Sequence, residues 1–259
     1  MVKKIVGKYR LVFLIVGLIA LSGCASAGLD TSSGTVDDSE SNSGGIILAS
    51  ADSELLIVED DGTSDFDGEA LSGTLEATGA GGLTAAEADG LRFMREEEKL
   101  AHDLYIELYE IWGLPIFNNI AQAEATHTAS VKALLDKFRI DDPVDGNPAG
   151  VFEDDALQVL YDQLLAEGSV SIEEALRVAA LVEEVDIQDL MIRSEGTSEP
   201  TILNVYANLT KGSRNHLRAF VSQYESRTGE TYSPQSMEAE DVQVILSSPV
   251  ERGRGRKAN

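Results

Sequence analysis

The stretch IFNNIAQAEATHTASVKALLDKF, residues 116–138, decides the fold. Its residues Ile116, Ile120, Val131, Leu134 and Phe138 recur at spacings that fall on one face of a helix. Two polar residues, Glu124 and His127, share that face. A core-facing stripe ordinarily holds Leu and Ala, because burying a carboxylate is costly unless it is paired or bound to a cation.

The same period runs through the flanking segments. Upstream, Thr84 with Glu87 forms a capping box. Leu91, Met94, Glu98, Ala101, Tyr105 and Leu108 then mark one face of a helix that Gly113-Leu114-Pro115 ends. Downstream, Asp141 to Gly150 predicts a loop, and Asp154 to Ala166 a shorter helix that stops near Gly168. Ser171 with Glu174 opens a third long helix, whose face carries Leu176, Ala180, Glu183, Ile187 and Leu190. Gly196 to Pro200 breaks it, and Pro200 suits the first turn of a fourth. That helix carries Ile202, Val205, Leu209, His216, Phe220 and Val221. Alternating β-branched runs are scarce. The expected fold is all-α, an antiparallel four-helix bundle over residues 84–226 with an extra short helix between long helices 2 and 3. Residues 227–259 read as a polar, partly mobile tail with a short helix near Met237 to Leu246.

The chain has 259 residues, 45 acids against 20 bases, and a formal net charge of −25. Such an excess argues against binding bare nucleic acid, which needs Lys and Arg to displace phosphate counterions. One cysteine excludes an intramolecular disulfide and a Cys-rich metal site. No Gly-rich dinucleotide or phosphate loop and no nucleophile elbow is present. Residues 24–90 hold 15 acids and no Lys or Arg. With frequent Ser, Gly and Thr, residues 24–83 read as an extended acidic tether. Leu55 to Val58 is an apolar patch able to dock as a strand on a neighbour. Asp60, Asp61, Asp65, Asp67 and Glu69 are out of register with a calcium loop.

Lys3, Lys4, Lys8 and Arg10 precede the apolar run Leu11 to Ala20, the layout of a secretory signal peptide over residues 1–23. At about ten residues the run falls short of the roughly 20 needed to span a bilayer. Leu21-Ser22-Gly23-Cys24 resembles the lipobox of bacterial lipoproteins. That resemblance implies cleavage before Cys24, lipidation of its thiol, and a chain exported across the cytoplasmic membrane and anchored to the envelope. Ala25 gives no signal for inner-membrane retention.

Glu98, Glu124 and Glu183 therefore stand on core faces together with His127 and His216. Glu124 and His127 are three apart and leave their helix one turn from each other. Glu-x-x-His with single Glu residues on facing helices is how four-helix bundles hold two iron or manganese ions. The alternative is a metal-free helical lipoprotein acting as an envelope interaction module, its inward acids neutralised by Arg214, Arg218 and Lys99.

Met94-Arg95-Glu96-Glu97-Glu98-Lys99-Leu100-Ala101-His102-Asp103-Leu104-Tyr105 and Trp112-Gly113-Leu114-Pro115-Ile116-Phe117 resemble the opening of a ferritin-like family, domain of unknown function 2202. Glu183 to Leu190 and Gly212-Ser213-Arg214-Asn215-His216-Leu217-Arg218-Ala219-Phe220 resemble its later signatures. A wider resemblance, to rubrerythrin-type di-iron proteins, rests on Glu98 seven before Tyr105 and on Glu124 with His127. It implies a third-helix carboxylate at Glu183 or Glu184, and chemistry with oxygen or peroxide of an oxidoreductase or peroxidase-like kind. A homodimer is implied as well. The fourth helix departs from that pattern, with Ser213 where a Glu is expected three before His216. Glu97, Asn215 or a water is left to compensate. His102 reads as a surface residue, Trp112 and Tyr105 as core aromatics, and Arg214 and Arg218 as partners of acids such as Glu184 or Asp189.

Overall fold

The computed structural model describes residues 55–59, 63–77 and 81–253. All of these belong to the second of two units into which the chain divides, 49–259; the first is 1–48. The signal peptide and Cys24 lie outside the described residues.

Seven helices and one hairpin make up the described chain. Strands β1 (Leu56–Val58) and β2 (Ser64–Phe66) pair antiparallel, with Leu56 opposite Phe66 and Val58 opposite Ser64. Helix α1 (Gly68–Ala77) follows, then two long helices, α2 (Ala85–Trp112) and α3 (Pro115–Phe138). The shorter α4 (Asp155–Gly168) precedes two more long helices, α5 (Ile172–Glu195) and α6 (Pro200–Thr228), and α7 (Ala239–Ser247) closes the order. Apart from the hairpin, the described residues are all-α.

Local chemistry sets the helix ends. The Thr84 hydroxyl accepts from the Glu87 amide while the Glu87 carboxylate accepts from the Thr84 amide, completing the capping box. Gly113 ends α2 in the left-handed conformation at φ 65°, open to glycine without strain. Pro115 and Pro200 start α3 and α6, where the missing N–H costs nothing. Asp154 caps α4 and Ser171 caps α5.

Helix α2 packs on α3, α3 on α6, α6 on α5, and α5 on α2. Short helix α4 packs against α2 and α5. Leu91, Met94, Val131, Leu134, Leu190, Val205 and Leu209, from all four long helices, belong to one buried apolar cluster.

Two expectations change. The last part of the presumed tether is not extended: Leu55, Leu56, Phe66 and Leu71 are buried in the same core cluster as Leu91 and Leu134. Its few apolar residues outweigh its acidity because they fall together and dock on α3. The C-terminal segment is likewise held through residue 253, with Tyr232, Met237, Val242 and Ile245 buried. No described helix is long and apolar enough to cross a membrane.

Candidate metal centre

Helix α2 supplies Glu98, α3 supplies Glu124 and His127, α5 supplies Glu183, and α6 supplies His216. None of the five is more than 2% exposed. His127 Nε2 lies 2.7 Å from the backbone carbonyl oxygen of Ser64 in β2. A carbonyl only accepts, so Nε2 donates to it and Nδ1 faces the interior. There His127 Nδ1 is 2.9 Å from Glu124 Oε2 and 3.5 Å from Glu98 Oε2. On the other side, His216 Nδ1 is 2.7 Å from Glu124 Oε1 and 3.7 Å from Glu183 Oε2. The two imidazoles stack at 5.2 Å and 19°. Glu124 thus turns one oxygen toward each histidine.

Neighbouring groups fix these side chains. Tyr105 donates to Glu183 Oε1 at 2.6 Å. Phe66 meets the His127 ring edge-on. Helix α6 comes close to His127 because residue 212 is glycine, where a Cβ would fall 2.6 Å from His127 Cε1.

Burial disfavours charge on all five, and their mutual fields decide the outcome. The Glu98 carboxyl is pushed up by burial to about 8, although His127 pulls the other way. Burial also works against the Glu124 charge, but His127 and His216 together hold this carboxyl well below the usual range. His216 loses by burial and gains more from Glu124 and Glu183, which raise it to about 9; Glu124 likewise raises His127. Without a cation, the site therefore retains protons on its imidazoles at neutral pH.

The arrangement fits a metal better than a hydrogen-bond network. Although they lie 2.7–2.9 Å from Glu124, both Nδ1 atoms lack an aligned hydrogen-bond partner, as do Glu98 Oε1 and His216 Nε2. Buried polar atoms rarely go unpaired. Two donors bound at about 2.1 Å and subtending a right angle sit about 3 Å apart, which is the spacing here. Among the described residues, Glu124, His127 and His216 are the group whose ligand atoms all lie within 4.8 Å of one another. Carboxylate with imidazole suits iron, manganese or zinc.

Glu184 does not join them. It accepts from the Tyr232 hydroxyl at 2.6 Å and from the amides of Gln235, Ser236 and Met237, so it pins the C-terminal segment. Glu183, on the helical stripe, is the one of the two that lies beside His216. Asn215 is also committed elsewhere, donating to Ser64 Oγ and the Glu251 carbonyl and accepting from Arg218 and the Glu251 amide. Arg214 and Arg218 pair with Glu251, not with Glu184 or Asp189. His102, partly exposed, contacts Asp103, and Trp112 donates to the Gly168 carbonyl. Sequence reasoning missed Asp186, buried on α5 and accepting from Ser213. Its signal was available: Asp186 lies three after Glu183, on the same helix face.

The model of the uncharacterized protein domain DUF2202 matches residues 87–249. The chain belongs to this family. It is 45% identical over 174 residues to uncharacterized protein MJ0754 of Methanocaldococcus jannaschii, spanning 67% of this chain and 94% of the relative. The crystal structure of hypothetical protein MJ0754 superimposes with a TM-score of 0.64 at 44% identity, covering 66% of this chain and 97% of that one. All five converging residues fall inside the DUF2202 span. Ser64 and Glu251, which brace His127 and α6, fall outside it.

Proposed function

We propose that the chain is a ferritin-like metalloprotein tethered to the cell envelope. In this reading α2, α3, α5 and α6 form an antiparallel four-helix bundle, and a lipid on Cys24 anchors the chain outside the cytoplasmic membrane. The bundle holds two iron or manganese ions. The observation that carries the reading is the approach of His127 Nδ1 and His216 Nδ1 to opposite oxygens of one buried Glu124, with Glu98 and Glu183 flanking.

His127 and Glu98 would hold one ion, His216 and Glu183 the other, with Glu124 between them. Bound iron would supply electrons for the reduction of oxygen or peroxide. Ser64 fixes the His127 tautomer, and Tyr105 fixes Glu183, so the ligands are set before metal arrives. All five side chains are buried, none more than 2% exposed.

The competing metal-free reading needs cations beside the inward acids. Lys99 instead contacts Asp103 and the Pro148 carbonyl, and Arg214 and Arg218 contact Glu251. Charge balance in that reading rests instead on protons held by His127 and His216.

Metal analysis of the purified chain tests the proposal. Wild type is expected to hold close to two iron or manganese ions per chain, and its melting temperature to fall on treatment with chelator. His127→Ala and His216→Ala are each expected to lower metal content. Unchanged metal content in both variants would refute the centre.

A further inference from the structure

We infer that the hairpin and residues 251–253 form a two-part cover over the seam between α3 and α6, and that its opening is the route by which metal ions enter and leave. The inference rests on the metal-centre reading above. All five converging side chains are buried, so an ion reaches them only when some element moves. Helices α2 and α3 pack directly on each other, as do α5 and α6, and α4 overlies α2 and α5. The α3–α6 seam, which brings the two histidines together, is different. There β2, a strand of three residues, packs on both helices. His127 bonds to this strand and His216 stacks on His127.

The bonds that hold the cover converge on Asn215 and Glu251. On the α3 side, the Ser64 carbonyl accepts from His127 Nε2 at 2.7 Å, and the Phe66 amide donates to Thr126 Oγ1 at 2.8 Å. On the α6 side, Asn215 Nδ2 donates to Ser64 Oγ at 2.9 Å and to the Glu251 carbonyl at 3.0 Å. Asn215 Oδ1 accepts from the Glu251 amide at 2.9 Å. One side chain thus ties the strand and the C-terminal segment together. The Glu251 carboxylate accepts from Arg214 Nε and Nη2 at 2.6 and 2.5 Å, and from Arg218 Nη2 at 3.1 Å. Charge-assisted pairs of this kind are the strong ones, so Glu251 is the clamp. Gly253 then lies so close to the Leu56 carbonyl that a Cβ would collide with it, and the C-terminal segment braces β1 as well. The Glu251 side chain is 17% exposed and Ser64 is fully buried, so water reaches the clamp before it reaches the strand.

The full chain, loaded with manganese and mixed with excess EDTA, gives the test. Manganese retained is read by elemental analysis at successive times. Glu251→Gln keeps the shape of the clamp and removes its charge; it is expected to start with the wild-type manganese content and to lose it roughly tenfold faster. Glu96→Gln loosens the connection held on α2, away from this seam, and is expected to lose manganese at the wild-type rate. In the metal-free chain, hydrogen exchange of the amides of residues 55–66 is expected to quicken in Glu251→Gln, because both parts of the cover meet at Asn215. Release from Glu251→Gln at the wild-type rate overturns the route. An equal quickening in Glu96→Gln also overturns it, since general loosening then explains the effect. Unchanged exchange at residues 55–66 overturns the two-part cover. A wild-type chain that takes up neither manganese nor ferrous iron refutes the centre itself, and the route with it.

Discussion

At the residue scale, the centre is a competition between protons and cations for the same lone pairs. His216 is raised from the ordinary 6.5 to about 9, and Glu98 from 4.5 to about 8. A group whose folded pKa is raised stabilises the fold at low pH and loses that contribution as pH rises through the folded value. The metal-free protein is therefore expected to lose stability between about pH 4.5 and 9, followed by thermal melting. Added ferrous iron or manganese is expected to flatten that loss, since metal replaces the departing protons. Gly212 gives a steric test. Ala in a helix interior ordinarily gains about 0.5–1 kcal/mol over Gly. Here the added methyl meets the His127 ring, so Gly212→Ala is expected to cost ~1–3 kcal/mol in urea unfolding and to weaken metal binding. The Glu-x-x-His spacing and the helical stripe made Glu98, Glu124, His127, Glu183 and His216 legible from sequence. Asp186 was passed over among the acids of α5, although its place three after Glu183 puts it on the same helix face.

At the element scale, the helix ends were written in Thr84, Gly113, Pro115, Ser171 and Pro200, all of which act on backbone groups nearby in sequence. What escaped depends on distant partners. Arg95, Glu96 and Lys99 look like surface charge on α2, yet they are buried because the connection to α4 folds over them. Arg95 holds Asp142, Glu96 accepts from the amides of Glu153 and Asp154, and Lys99 reaches the Pro148 carbonyl. Glu184 is the clearest case, adjacent to Glu183 but serving a different element. Glu184→Ala is expected to free residues 230–253, seen as faster proteolysis there, with metal content kept. Glu183→Ala is expected to do the reverse, lowering metal content while leaving the C-terminal segment protected.

At the scale of the whole molecule, the acidity divides into two kinds. Residues 24–90 carry 15 acids and no base, whereas the acids that meet inside the helices are few and chemically placed. The hairpin joins these two regimes. It comes from the acidic segment, yet Ser64 accepts from His127, Phe66 packs on that ring, and the Phe66 amide donates to Thr126. The patch Leu55 to Val58 reads from sequence as a strand able to dock. Its pairing with β2 and the contact of β2 with His127 are not legible there, because three-residue strands carry little pattern and the α3 partners stand about sixty residues away. The most direct measurement is an anomalous difference map, at the iron edge, from crystals of the chain loaded with ferrous iron. Two peaks are expected, about 2.0–2.2 Å from His127 Nδ1 and His216 Nδ1 with Glu124 between them. A map with no peak among these side chains would contradict the metal centre.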